Sequence, residues 1–370
     1  MPPRPYVLLS CATSADGYLD DAGPARLILS GPADLDRVDD VRASCDAILV
    51  GAGTIRRDNP RLLIRDPRRR ARRAARGLPE HPARVTLTAT GDLDPTARFF
   101  APGAERLVYC ATPALPRARA RLADRAVLID AGDPLSLDAI LEDLSERNVM
   151  RVLVEGGART LAGFLALDLA HELHLAVAPF FVADPAAPRL NVPPNPDGPD
   201  HPMTLAEVQR LDDVVLHRYL LGPGGPDHRF LAWAVELSRL SPPSESAFSV
   251  GAVIVAQDGE VLSTGFSREQ EDHDHAEEVA LRKLGPDPRL RQATIYSSLV
   301  PCGARASRPV TCVQHILAAG IPRVVFAWNE PPVFTAGDGA DQLRAAGVDL
   351  TELPDLGPRA RAVNAQLLRP

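Results

Sequence analysis

Residues 151–165 read RVLVEGGARTLAGFL. A short apolar run rich in β-branched residues is a buried strand, two glycines make a turn, and the apolar spacing from Thr160 to Leu165 makes a helix. DAILVGAGT, residues 46–54, repeats the strand and its glycine turn. Working outward, YVLLSCA (6–12), RLILS (26–30), ARVTLTA (83–89) and RLVYCA (106–111) also read as buried strands. DLDRVDDVRASC (34–45) and LSLDAILEDLSERN (135–148) read as amphipathic helices. Strands alternating with helices predict an α/β fold with a mostly parallel central sheet.

Two breaks interrupt this pattern. The proline-rich segment 185–202 is expected to be a loop, and GPGGPD (222–227) an interdomain linker. Between them, residues 203–221 supply a last helix and a strand. The arginine run 65–76 reads as a solvated loop. After the linker come a helix at 229–240, strand VGAVIVA, helix HAEEVALRKL, strand TIYSSL, helix CVQHILAAG and strand RVVFAW. This predicts a first domain over 1–221 and a smaller three-layer α/β/α domain over 228–370.

A chain of 370 residues with 45% hydrophobic content can fill two cores. The net charge of −7 argues against a nucleic-acid surface. No apolar run is long enough for a membrane span, and the N-terminus lacks the apolar core of a signal peptide. A cytoplasmic location is expected. Cys11, Cys45 and Cys110 are scattered among apolar residues and read as buried reduced thiols.

Cys302 and Cys312 differ, because they belong to a pattern. HDHAEEVALRKL (273–284) precedes SLVPCGARASRPVTC (298–312). His275, Cys302 and Cys312 offer zinc three soft ligands and leave a fourth position for water. Glu277, two residues past His275 at a helix start, is placed to move protons beside that water. The histidine–x–glutamate and proline–cysteine pieces match the zinc deaminase signature, but nine residues separate the cysteines instead of two. The plainer alternative is a zinc scaffold without catalysis, or ordinary buried thiols. His273 and His315 read as bystanders, with a substrate contact by His273 as the minority view.

The segments VGAVIV, HAE, PC…C and AAGIPRVVFAWNEP resemble, in this order, the deaminase domain of the riboflavin-biosynthesis deaminase/reductase (RibD/RibG) family. Ser246, Ala247 and Phe248 stand where that family carries Pro-Asn-Pro, and Val300 replaces its glutamate before Pro-Cys. The segments 5–19, 27–65, 151–165 and 171–181 resemble the reductase domain of the same family. That resemblance implies a dihydrofolate-reductase-like fold and NADPH. It implies that Gly51, Gly53, Thr54, Gly156 and Gly157 line the cofactor diphosphate, that Glu155 lies near the reacting groups, and that Asp58 faces the substrate ribose. It further implies that Arg42 and Arg65 clamp a 5-phosphate, with Ser10 at a substrate position. Read alone, the glycine pairs are tight turns, Asp58 is a turn residue, and both arginines are surface residues.

The resemblance implies a homodimer acting on a pyrimidine ribosylamino phosphate. The first domain would reduce the ribosylamino chain with NADPH, and the second would deaminate the ring with zinc. The reductase leads here, whereas familiar bifunctional members put the deaminase first. The alternatives are a deaminase domain acting on another amino-heterocycle, or a non-catalytic zinc module.

Overall fold

The computed structural model describes residues 4–23, 27–122, 124–191, 197–198, 202–222, 224–305, 307–329 and 338–368. The chain divides into two compact units, residues 1–203 with 207–222, and 223–370 with 204–206.

The first unit contains β1 (Tyr6–Ser14), α1 (Pro32–Ser44), β2 (Ala47–Gly51), α2 (Ala52–Asp58), α3 (Pro67–Ala75), β3 (Ala83–Thr88), β4 (Arg106–Cys110), α4 (Leu115–Leu122), β5 (Val127–Asp130), α5 (Leu137–Glu146), β6 (Arg151–Glu155), α6 (Ala158–Ala166), β7 (Glu172–Ala178), β8 (Thr204–Leu211, with residues 207–211 in this unit) and β9 (Val214–Leu220). Its nine strands run in the order β5-β4-β3-β2-β6-β1-β7-β9-β8. The pairs from β5 through β7 are parallel, and β7 with β9 is antiparallel. Alternate strand residues feed two cores. Val7, Leu9, Leu49 and Val152 pack with α5 and α6 on one face, and Leu8, Ile48 and Leu153 pack on the other. Burial on both faces explains why these strands read as continuous apolar runs.

The second unit contains α7 (Gly225–Ser238), β10 (Gly251–Val255), β11 (Val261–Phe266), α8 (Ala276–Leu284), β12 (Thr294–Ser297), α9 (Cys312–Ala319), β13 (Arg323–Phe326), α10 (Gly339–Ala345), β14 (Asp349–Glu352) and α11 (Gly357–Val363). The sheet order is β11-β10-β12-β13-β14. Ala252 and Ile254 join Ala276, Ala280, Val313 and Leu343 in the core on one face. Gly251 points the other way: a Cβ there would stand 2.1 Å from the Ala234 carbonyl of α7. A Cβ on Gly265 would similarly stand 2.3 Å from the Ala276 carbonyl of α8. These contacts demand glycine and make the helix–sheet–helix layering.

Several expectations need correction. RLILS forms no strand over its described residues 27–30, and Ile28 is 78% exposed. The arginine run is a helix, α3. Asp66 caps it by accepting from the Arg68 amide at 2.7 Å, Pro67 occupies its first turn, and Arg69 pairs with Asp36, Asp39 and Asp40 of α1. Residues 203–221 hold two strands instead of a helix and a strand. Leu205, Val208 and Leu211 recur at helical spacing, yet Leu205 and Val208 are exposed on an edge strand whose partner follows a turn at Asp212. The expected linker 222–227 is shortened because α7 begins at Gly225. For β5, β7, β11, β14, α2, α4, α10 and α11 the sequence pattern carries no expectation. Arg26, residues 192–196 and 199–201 of the proline-rich segment, and Pro223 lie outside the described residues.

Candidate functional site

The second unit holds a pocket of about 420 Å³ at the N-terminal ends of α8 and α9. His275 is the N-cap of α8 and Cys312 the first residue of α9. Thr311 and Gln314 close a reciprocal capping box that fixes where α9 starts. The Val313 amide donates to the Cys302 carbonyl at 3.2 Å, so the loop and helix hold both sulfurs together. His275 Nδ1 lies 3.5 Å from Cys302 Sγ and 3.3 Å from Cys312 Sγ, and all three candidate ligand atoms lie within 4.8 Å of one another. Ordinary zinc–sulfur and zinc–nitrogen bonds at a tetrahedral angle require edges of roughly 3.6 Å, so the triangle fits one zinc ion.

Charge in this triangle is shared. A hydrogen bond from Cys312 lowers the Cys302 thiol to about 4, helped by His275, and the same bond raises Cys312 well above the ordinary thiol range. Glu277 is buried and its carboxyl is raised by that burial and by the neighbouring Cys302. Ser297 Oγ, from the end of β12, donates to Glu277 Oε1 at 2.8 Å. Glu277 Oε2 lies 3.2 Å from Cys312 Sγ, on the ligand side. One oxygen is therefore anchored and the other faces the metal position.

The loop between the cysteines is pinned by arginines. Arg305 donates to Glu278 at 3.0 Å and to the His273 carbonyl at 2.8 Å, and Arg308 donates to Glu278 at 2.5 Å. Ser246, Ala247, Phe248 and Val300 line the pocket, as does His273. His315 does not line it. Ser297, Arg268 and Arg305 escaped the sequence reading. Arg268 donates to the Pro242 and Phe248 carbonyls and to Ser249, and so fixes the wall that carries 246–248.

The first unit holds a cleft of about 1260 Å³ at the carboxyl ends of β2, β6 and β1. Ser10, Arg42, Gly51, Gly53, Thr54, Asp58, Glu155, Gly156 and Gly157 all line it. Parallel pairing sets Ser10 beside Glu155. The two glycine turns face each other. A Cβ on Gly157 would stand 3.2 Å from Thr54 Oγ1, and one on Gly51 would stand 2.6 Å from Thr160 Oγ1. Gly156 and Gly157 have φ of +73° and +82°, which also favour glycine. A narrow, side-chain-free cradle of backbone amides suits a diphosphate.

Arg42 is engaged by Glu155 through both Nε and Nη2 at 2.6 Å. Arg65 is absent from the cleft lining. It pairs with Asp39 at 3.5 Å and donates to the Leu35 carbonyl, with its side chain 59% exposed. The expected two-arginine clamp is therefore not assembled, because α1 supplies Arg65 with its own acceptors. Arg37, Asp34, Arg57 and Thr160 line the cleft without having been singled out. Only the charged i,i+3 pair on α1, Asp34 with Arg37, hinted at them.

A family model described as the RibD C-terminal domain matches residues 5–216. A second, the cytidine and deoxycytidylate deaminase zinc-binding region, matches residues 225–328. The chain is 32% identical over 187 residues to the 2,5-diamino-6-ribosylamino-4(3H)-pyrimidinone 5′-phosphate reductase of Archaeoglobus fulgidus, covering 50% of this chain and 85% of that one. It is 38% identical over 152 residues to the diaminohydroxyphosphoribosylamino-pyrimidine deaminase of Schizosaccharomyces pombe, covering 40% of this chain and 37% of that one. The structure of a pyrimidine reductase-like protein from Corynebacterium diphtheriae shares the fold at 22% identity and a TM-score of 0.52, over 60% of this chain and 93% of that one. No helix among the described residues is long and apolar enough to cross a membrane. The chain belongs to the RibD C-terminal domain family, with the reductase-type unit leading and a cytidine-deaminase-type zinc-binding unit following it.

Proposed function

We propose that this chain carries out two successive steps of riboflavin biosynthesis. The first unit reduces the ribosylamino chain of a pyrimidine 5′-phosphate to a ribitylamino chain. The second hydrolytically removes an amino group from the pyrimidine ring. The observation that carries this reading is the pairing of two sites in one chain: a triangle of three candidate zinc ligands with an anchored carboxylate, and a glycine-walled cleft with Ser10, Asp58 and Glu155 in its lining.

In the cleft, Gly51, Gly53, Thr54, Gly156 and Gly157 would hold NADPH, which supplies a hydride when bound. Asp58 orients the sugar. Glu155, locked in place by Arg42, borders the reacting carbon. These residues position, and positioning alone removes much of a barrier. In the pocket, His275, Cys302 and Cys312 would hold zinc, which supplies an activated water when bound. Glu277 accepts a proton at Oε2 and delivers it to the leaving amine, while Ser297 keeps Oε1 still.

A second reading concerns the substrate of the pocket. Ser246, Ala247 and Phe248 give its wall one aromatic ring and no side-chain amide, which favours a different amino-heterocycle. A paired assay separates the readings. The protein, loaded with zinc, receives the diaminopyrimidinone ribosylamino phosphate and NADPH, and ammonia and NADPH are followed separately. Both signals support the bifunctional reading. NADPH oxidation without ammonia from this or other amino-heterocycles overturns the deaminase half. The resemblance also carries a cytoplasmic homodimer, which fractionation and sedimentation would check.

A further inference from the structure

A buried network of charges adjoins the cleft, and the mechanism above does not use it. Glu172, wholly buried at the start of β7, accepts from Arg218 Nε at 2.5 Å, from His174 Nε2 at 2.7 Å and from Arg151 Nη2 at 3.4 Å. His174 is also buried, and its Nδ1 lies 2.8 Å from Arg37 Nη1. A guanidinium only donates, so Nδ1 accepts and Nε2 carries the hydrogen given to Glu172. Burial lowers His174 to about 4, which keeps this tautomer uncharged at neutral pH. From its other edge, Arg37 Nε donates to Asp34 at 2.8 Å.

Arg37 and Asp34 line the cleft. Asp34 and His174 thus fix the plane of one guanidinium on two sides. Its Nη2 has no hydrogen-bond partner among the described residues. The other cleft arginines differ. Arg42 is occupied by Glu155, Arg57 by Asp20, and Arg56 and Arg159 are exposed. Buried ionic networks seldom add net stability. What this one does is hold a cation rigidly at the wall of a ligand cleft, and a rigid planar fork is the group that recognises phosphate oxygens.

We propose that Arg37 anchors a phosphomonoester in the cleft, its guanidinium held ready by Asp34 and the His174–Glu172 pair. The inference rests on the reductase reading and names a binding residue for it. Two phosphomonoesters could enter such a cleft, that of a ribosyl substrate and the 2′-phosphate of the dinucleotide. The glycine turns follow β2 and β6, whereas Arg37 is tied to β7, with β1 between β6 and β7. That separation favours the substrate's phosphate.

The test is calorimetry on the full-length protein with ribose 5-phosphate and with adenosine 2′,5′-bisphosphate as probes. Arg37→Met should weaken ribose 5-phosphate by about tenfold to a hundredfold and leave the bisphosphate unchanged. Weakening of the bisphosphate alone would keep the phosphomonoester anchor and assign it to the cofactor. Unchanged affinity for both probes, or no binding of either by the wild type, overturns the proposal. Arg37→Lys keeps the charge without the fork and should recover only part of the affinity. His174→Leu, a positioning variant, should raise KM for the phosphorylated substrate with kcat retained. Should His174→Leu fail to fold, Arg37→Met still decides. Failure of the wild type to oxidise NADPH with any pyrimidine substrate is a separate result, and it removes the reductase reading instead.

Discussion

The pocket and the cleft solve different problems with different materials. The pocket gathers three candidate ligand atoms and one carboxylate, all carried by two helix starts and the loop between Cys302 and Cys312. The cleft is about three times larger and is walled by strand ends, glycine turns and α1. A metal site is defined by side-chain identity, so single substitutions should remove it. A cofactor cleft is defined mostly by backbone shape, so single substitutions should weaken it.

Removing zinc with a chelator gives the sharpest contrast. Ammonia release should vanish and NADPH oxidation should persist. Equal loss of both would break the division of labour. Glu277→Gln should lower ammonia release by about 10²- to 10⁴-fold, with zinc content and NADPH oxidation retained. Loss of zinc in that variant would make Glu277 a structural residue.

Glu172→Gln should destabilise the protein by roughly 3–5 kcal/mol at neutral pH, because three buried donors lose their acceptor charge. Burial raises the Glu172 carboxyl, but Arg218, His174 and Arg151 outweigh it and hold it well below the ordinary value of 4.5. A depressed folded-state value contributes stability that is present above 4.5 and lost as pH falls towards the folded value. The gap between wild type and variant should therefore close as pH drops below 4.5 in denaturant titrations. A gap independent of pH would mean that lost packing, not charge, carries the effect.

Gly157→Ala should raise KM for NADPH roughly fivefold, from about 1 kcal/mol of strain at positive φ and crowding of Thr54. Deamination should not change. Arg65→Ala should be smallest, within about 0.5 kcal/mol in stability and without a measurable change in KM for the ribosyl phosphate, as expected for an exposed side chain outside the cleft. A large rise in KM would restore it as a phosphate clamp.

How far the sequence could be read follows from the same contrast. His275, Glu277, Cys302 and Cys312 could be picked out because few residue types hold zinc and their spacing is local. The parallel strands of the first unit could be picked out because both faces are buried. The arginine helix α3 could not, because its stability comes from Asp36, Asp39 and Asp40 on another helix, and composition alone suggests solvent. β8 could not, because an edge strand exposes residues that mimic a helical stripe. Ser297 and Arg37 carry common side chains with many ordinary uses, and only their partners single them out.

The sequence by itself determined the α/β class, the order of the two units along the chain, and the histidine and two cysteines that form the candidate ligand set. Those depend on local pattern and on residue identity. Tertiary structure alone decided that Arg42 is paired with Glu155, that Arg65 is turned to α1, and that a buried histidine and glutamate brace Arg37. The partners lie 113, 26 and 137 residues apart or join through a third side chain. Which charge meets which is set by strand order and helix packing, and no short stretch of sequence encodes that.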